Sequence, residues 1–527
     1  MNGPTDRLPR KRVAIVGSGC AGIGALWALN KTYHDVYVYE ASDRLGGHTN
    51  TVEYNRGKFS TKVDTGFVVF NTATSPNFIK FLERANVKTA PTEMSFSVSR
   101  DRGAFEWAGS SLTAFFCQRR NMLSPSMWRM LFDIVRFNKF ALDLLCNEEE
   151  DVSNIEVRSK SIHDVDTGVT IGEYLDREGY SQAFRDNYLL PLIASIWSTS
   201  PDMCSLEFPA ATVVRFLWNN HLLSIAATRP EWLILEDGSK SYIDAVIKGF
   251  PPNHLFLKTA VKHVTTESDG RVRVHLENGS SARYDHVILA THGDEAYDII
   301  KSSATEQERS IMSCFRTSQN EVVLHSDLDM MPRRKKAWSS WNYLTFSSPS
   351  SRRANINQVS LTYNMNILQH IPRNTFGDVL VTLNPLHRPR PGKTQGRYYY
   401  SYPRYTPSTI RAQKLLKHVQ NTRGISYAGA WTNYGFHEDG FSSGLQVAQQ
   451  HLGAKLPFRY TDSTNSRGKK PTLSIVDHFL RLIILIIQVF VVQMLERLLE
   501  AARRKTQRQR PMNGKRVRLV NEKHPYN

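Results

Sequence analysis

The chain begins polar and basic, Met1 to Lys11, and turns apolar at Val13, Ala14, Ile15 and Val16. A run this short and β-branched predicts a buried parallel strand. A stretch of small residues follows, and Ala21 to Asn30 predicts a helix. Val36 to Tyr39 predicts a second strand, ending in Glu40. Pro76 to Asn86 sets Phe78, Ile79, Phe81 and Leu82 on one side of a helix. From Met94 to Trp218 aromatics and helical runs dominate, among them Met127 to Leu145, Glu173 to Leu175 and Tyr188 to Trp197. Asn147 to Asp151 interrupts them as an acidic, solvated break. After Asp237-Gly238 come a helix over Tyr242 to Gly249 and two strands, Val272 to Leu276 and Tyr284 to Leu289, joined by an Asn278-Gly279 hairpin. Glu321 to His325, Gln358 to Tyr363 and Val379 to Leu383 read as further strands.

Between the first strand and its helix lie Gly17, Ser18, Gly19, Cys20, Ala21 and Gly22, a G-x-G-x-x-G pattern. Gly17 permits the tight turn. Gly19 lets a pyrophosphate approach the backbone, and Gly22 lets helix and strand pack closely. The helix N-terminus offers free N–H groups and a favourable dipole to phosphate. Glu40 stands where a carboxylate accepts hydrogen bonds from a ribose 2′-OH, and it repels the 2′-phosphate of NADP. Glycines alone are common in loops. Here strand, turn, helix and acid occur in the order that dinucleotide binding requires.

Glu40 continues into Ala41, Arg44, Gly46 and Gly47, or E-A-x-x-R-x-G-G. The arginine and glycines add donors and close backbone approach to the same pyrophosphate. This resembles the extended fingerprint of the flavin-containing amine oxidase and phytoene desaturase superfamily, which implies FAD. His48 stands where that fingerprint ends in arginine. The sequence VDTGFVVF follows, and the resemblance places Asp64 and Gly66 near the flavin. An Asx turn between strands explains the same two residues. Val287 to His292 resembles the strand and turn that recross the FAD domain, and the resemblance sets the backbone of Val261 on the adenine side.

Tyr427 to Gln449 resembles the superfamily's second flavin motif, a strand ending at Gly429 and a helix starting near Asp439 or Gly440. Its N-terminus would face the flavin and stabilise negative charge there. Matched by position, Phe436 is the aromatic beside the ring and Glu438 the motif's glutamate, with Asp439 after it. Trp431 stands where a glutamate is usual. His437 reads either as a proton donor or base near flavin N5 or as a structural histidine. No cysteine lies nearby, which implies non-covalent FAD.

Taken together, the expectation is an α/β fold. A Rossmann-type FAD-binding domain with a parallel sheet comes from segments 11–93, 226–300 and 425–455. A mixed α+β substrate domain comes from 94–225 and 301–424. A linker spans 456–472, a hydrophobic helix 473–499 and a basic tail 500–527. With no second glycine fingerprint, electrons come from the substrate.

The net charge of +18 calls for an acidic partner or a solvated basic surface. No nucleic-acid motif is present, and part of the excess is the tail. Pro332 to Lys336 adds four consecutive cations, a solvated loop, and Trp338, Trp341, Asn342 and Tyr343 after it are pocket or sheet residues. Five cysteines with no C-x-x-C suggest neither disulfides nor zinc, and fit a reducing compartment. No metal site is expected. Leu473 to Leu499 has one polar residue between Leu482 and Val492. It is long enough to span a bilayer or to lie in its plane, with basic residues beyond it for anionic headgroups.

Blocks such as VDTGFVVFN, LPLIASIWST, PRRKKAWSSWNY and GAWTNYGFHEDGFSSG resemble FAD-binding oxidoreductases often encoded beside cyclopropane fatty-acyl synthases. That resemblance implies a lipid or fatty-acyl substrate, oxidised by hydride transfer to flavin N5. An amine or polyamine oxidase is the second expectation, and a membrane-tethered flavin-binding protein without turnover the third.

Overall fold

In the computed structural model, which describes residues 9–146, 168–223, 229–348, 355, 357–495 and 497–498, the first apolar run is the middle strand of a five-stranded parallel sheet. The strands are, in order, Leu255–Phe256, Asp35–Tyr39, Arg12–Val16, His286–Leu289 and Ile425–Tyr427. They come from three separated stretches of chain, as expected. Val13 and Ile15 pack under the Cys20–Leu29 helix, and Ala14 and Val16 pack on the opposite face with Val287 and Leu289. Cover on both faces is why the strand reads as continuous apolar sequence. The acidic break at 147–151 and the basic tail 500–527 lie outside the described residues.

The first helix, Cys20–Leu29, is apolar all round because it lies between this sheet and a later helix, His437–Leu452. Glycines bring the two backbones together. A Cβ on Gly24 would stand 2.5 Å from the Phe441 carbonyl, and one on Gly444 2.0 Å from the Ala21 carbonyl. The two halves of the expected flavin fingerprint, four hundred residues apart in sequence, are thereby locked together.

A second sheet has seven strands, ordered Thr394–Pro403, Thr317–His325, Leu380–Leu383, Leu361–Asn364, Trp341–Thr345, Phe96–Arg100 and Phe105–Ala108. The largest core lies between it and helices from the 112–219 stretch. Trp341, Asn342 and Tyr343 are sheet residues here. Asn342 is buried and bonded to Ser97, Ser339 and Thr362.

Four local expectations change. Tyr284–Leu289 is two strands. Ser281–Tyr284 closes the hairpin with Val272–Leu276, whose turn has Gly279 at φ +84°, while His286–Leu289 joins the parallel sheet. Asp285 marks the break by accepting the Arg12 N–H. Met127–Leu145 divides into helices Pro125–Phe140 and Asp143–Cys146, because the hydrogen bonds of Leu144 and Leu145 tighten to three-residue spacing. The closing helix starts at His437, where the Asp439 carboxylate accepts the Phe436 N–H. Finally, the linker stretch up to Pro471 lies on the protein. Thr461 and Asn77 exchange two hydrogen bonds, Phe458 stacks on Trp27, Thr464 accepts from Asn219 and Asn433, and Arg467 donates to the Trp218 carbonyl.

The described residues from Thr472 onward form a unit of their own. Ser474 and Asp477 cap its helix reciprocally. The helix Ile475–Leu495 has 21 residues, is apolar enough to cross a membrane, and leaves Phe479, Leu482 and Phe490 exposed.

Candidate active site

The turn after the first strand has the geometry the glycines predicted. Gly17 sits at φ +95°, and its N–H donates to the Tyr39 carbonyl. A Cβ on Gly22 would lie 2.0 Å from the Gly17 carbonyl, so only glycine lets the helix leave the strand here. A Cβ on Gly19 would meet nothing within 4 Å. That open side, beside the first amides of the Cys20–Leu29 helix, is the space a pyrophosphate requires.

Glu40 ends the second strand beside this turn. One carboxylate oxygen accepts from the Ser18 N–H and hydroxyl at 2.9 and 2.5 Å, the other from the Ser42 N–H and hydroxyl. Burial pushes this acid up, but the serine hydrogen bonds outweigh it and hold its pKa below the usual value. Ser18 thus orients this carboxylate, and its own N–H is taken up in doing so. Thr259 donates to the Glu40 carbonyl, which brings Val261, two residues on, near the end of the second strand. Ala41 is exposed on the next loop. Arg44 donates to the carbonyls of Gly47 and Thr49, so it shapes the Gly46–Gly47 turn from within. Gly46 and Gly47 both have positive φ, and Gly47 lies against Gly19. Gly66 packs on the His48 carbonyl, where a Cβ would be 2.2 Å away.

The N-terminus of the closing helix faces the same region. A Cβ on Gly440 would stand 2.3 Å from the Cys20 sulfur. The N–H groups of His437, Glu438 and Asp439 have no helical partner. Phe436 stacks on Phe216 at 4.7 Å, with Trp197 edge-on at 6.5 Å. The Trp197 indole N–H donates to the Tyr434 carbonyl. Gly429 ends the approach to this loop, its N–H on Ser443.

Three acids expected beside the flavin make hydrogen bonds within the protein. The Asp64 carboxylate is buried and accepts from Thr51, Ser239 and Gln369. It ties its strand to the helix at Lys240–Ile247, which is the turn reading carried further. Burial raises it to about 6. Glu438 is buried against another helix. It accepts from the N–H groups of Asn77 and Phe78, the Asn77 amide and Ser442, and so caps helix Pro76–Arg84. A helix N-terminus is the best available partner for a buried carboxylate. Asp439 closes its own helix through Phe436 and Asn433, and burial raises it to about 7.

His437 lies between these groups. Its Nε2 is 2.9 Å from the Tyr242 hydroxyl, which is 2.8 Å from Thr49 Oγ1. Its ring lies flat on Phe67, with centroids 3.6 Å apart. Burial, and then the charge of His48, push its pKa down to about 3. The imidazole is therefore neutral near pH 7, and the proton-donor reading narrows to a neutral hydrogen-bonding group. Thr49 and Tyr242 carry no motif in the sequence, and they meet Phe67 and His437 only through the fold.

His48 replaces the expected arginine, and its Nε2 is buried without a partner. Its ring lies 5.1 and 5.0 Å from those of Tyr400 and Tyr402. An orphaned donor or acceptor, the open side of Gly19 and two unpartnered helix N-termini converge here. A polar, phosphate-bearing cofactor fits that arrangement. A cavity of about 630 Å³ adjoins it, lined by Ser198, Thr199, Ser318, Asn320 and Arg404 among others. Ser198 follows Trp197, and Ser318 is paired across the sheet with Tyr402. Among the described residues no His/Cys/Asp/Glu group is arranged for a metal, and no two cysteines form a disulfide.

The profile of flavin containing amine oxidoreductases matches residues 20–325, more than half of the chain. The chain belongs to that family. As a member it is an FAD-dependent oxidoreductase. A 50-residue stretch is 46% identical to the L-amino acid oxidase of Cerastes cerastes, covering 10% of each chain. The chain thus spans about a tenth of the length of that relative. Two solved structures share the fold. They are the CLA-producing fatty acid isomerase from P. acnes (TM-score 0.57, 15% identity, 84% of this chain and 99% of that one) and cyclohexylamine oxidase from Brevibacterium oxydans (TM-score 0.55, 14% identity, 84% and 98%).

Proposed function

We propose that this flavin amine oxidoreductase removes a hydride from a carbon of a lipid or fatty-acyl substrate at a membrane, with FAD held non-covalently. The carrying observation is the form of the cavity beside the site. Its lining is mostly polar, with Ser198, Thr199, Ser318, Asn320, Glu321 and Arg404, and includes apolar Met203, Val359 and Leu386. Ser198 follows Trp197, whose ring meets those of Phe216 and Phe436. A cavity of about 630 Å³ is of ligand size, and that lining suits an amphiphile with one polar end. The span-length helix at Ile475–Leu495 would keep such a substrate at hand. The fatty acid isomerase with this fold supports the same class.

Bound FAD supplies the two-electron acceptor. Gly17 to Gly22, Glu40 and the Gly46–Gly47 turn would hold its adenosine and pyrophosphate. The amides at His437 to Asp439 would stabilise negative charge at its other end. Phe67 and Tyr242 fix His437 in one orientation. The aromatic wall excludes water from the reacting carbon. Cysteines without disulfides on the catalytic unit fit a reducing, cytosolic side.

The test is anaerobic incubation of the purified full chain with a membrane lipid extract and, separately, with mono- and polyamines. Loss of oxidised-flavin absorbance with lipid alone is expected. Loss with amines alone, with peroxide formed in air, would replace this reading by amine oxidation. Bound flavin unchanged by either would indicate a flavin-binding protein without turnover. Acid denaturation is expected to release the flavin from the polypeptide.

A further inference from the structure

Helix Leu112–Phe115 and the 3₁₀ turn Arg119–Leu123 carry side chains that the core does not use. Leu123 is 88% exposed, Leu112 73%, Met122 51% and Trp128 50%. They are contiguous. The Phe116 N–H bonds back to the Leu112 carbonyl, the Phe116 ring lies 5.2 Å from that of Trp128, and the Trp128 indole N–H donates to the Met122 carbonyl at 2.8 Å. The segment is fixed from beneath. Asn121 and Gln118 bond to one another and to Glu106, and Ala114 packs with Ala337 in a small buried cluster. Its apolar side chains are therefore held outward by a rigid base.

Cations border them. Arg119 and Arg120 are exposed within the segment itself. The Lys335–Ala337 turn packs against the Leu112–Phe115 helix and brings the exposed Arg333 to Lys336 run alongside. The one carboxylate tied into this base, Glu106, is fully buried and accepts from Arg334 and from the Arg333 and Arg334 backbone. It offers nothing to the surface.

We infer that this surface docks onto an anionic lipid bilayer, with Leu112, Met122, Leu123 and Trp128 entering the headgroup–acyl boundary and the Arg and Lys side chains meeting lipid phosphates. Protruding aliphatic tips beside a tryptophan and flanking cations suit an interface plane, where apolar side chains enter about 5–10 Å. A protein partner fits less well. Protein interfaces are depleted in lysine, and their anchors fill pockets in a partner. The inference stands apart from the C-terminal helix, since it rests on residues of the catalytic unit alone.

The test uses the full chain reconstituted in lipid nanodiscs whose acyl chains carry bromine quenchers near the headgroups. Fluorescence of the wild type is compared with Trp128→Phe, so that the difference isolates Trp128. Strong quenching of that component is expected with anionic lipid. It should fall several-fold with zwitterionic lipid, with Arg119→Glu/Arg120→Glu or with Leu123→Asp, while bound flavin stays unchanged. Trp128 fluorescence indifferent to the quencher in anionic discs would overturn the inference. So would a Leu123→Asp variant that alters only the self-association of the chain. A helix variant such as Leu485→Asp reports on the anchor separately, because it changes retention in the membrane and not the Trp128 signal of discs already formed.

Discussion

Single positions divide sharply between those that shape the site and those that would touch a ligand. Gly19 and Gly22 are both glycines of one fingerprint, yet a side chain meets open space at the first and a carbonyl 2.0 Å away at the second. Gly19→Val is therefore expected to fold with an unchanged circular dichroism spectrum and to purify colourless. Gly22→Val is expected to fail at folding itself. Equal flavin content in Gly19→Val and wild type would contradict the assignment of that space to the pyrophosphate. His437 gives a second residue-scale prediction. Held neutral down to about pH 3, it contributes no titration between pH 5 and 8. His437→Gln is expected to lower turnover while leaving the acidic limb of the pH–rate profile in place. Disappearance of a limb near pH 6.5 would show that the imidazole titrates after all.

Among elements, the closing helix matters most, because it meets three others. Gly440 and Gly444 set it against the first helix, and Glu438 caps helix Pro76–Arg84. Truncating Glu438 to alanine strands the Asn77 and Phe78 amides in a buried place. That is expected to cost about 3 kcal/mol, measured by denaturant unfolding. Glu438→Gln, which still accepts, should cost less than half of this. A loss confined to activity, with stability intact, would mean that the carboxylate serves the ligand instead. The strap at 457–471 belongs to the same scale. Composition alone reads it as a polar linker, but its Thr461 and Thr464 complete hydrogen bonds for Asn77, Asn219 and Asn433, residues its own sequence gives no means of naming.

For the whole molecule, buried histidines set the response to acid. His48, His286 and His437 are each pushed down to about 3, and His325 to about 4, all chiefly by burial. Below about pH 6.5 the unfolded chain binds protons that the fold refuses, so their stabilisation is present above that pH and lost as pH falls. Asp64 and Asp439, raised to about 6 and about 7, act oppositely, since the fold keeps protons there that the unfolded chain gives up. The imidazoles outnumber these acids, and the unfolding free energy is expected to drop between pH 6 and pH 4. His286 is fully buried on Ser426 and distant in role from the flavin. His286→Gln should flatten that slope by about 1.4 kcal/mol per pH unit, read from denaturant midpoints at several pH values. An unchanged slope would refute its buried neutral state.

The chain itself determined whatever depends on local spacing. The Gly17–Gly22 turn, Glu40 at a strand end, the first buried strands and the apolar C-terminal helix all follow from patterns a few residues long, because backbone conformation and strand burial are read over such distances. Only the tertiary structure decided which carboxylates are free. Asp64 and Glu438 match the flavin motif by position and yet face Ser239 and Asn77, because a buried acid turns to whatever donors packing brings within reach. The contact of His437 with Tyr242, and of the Cys20–Leu29 helix with His437–Leu452, was likewise settled by the fold, where residues remote along the chain share one small water-poor space.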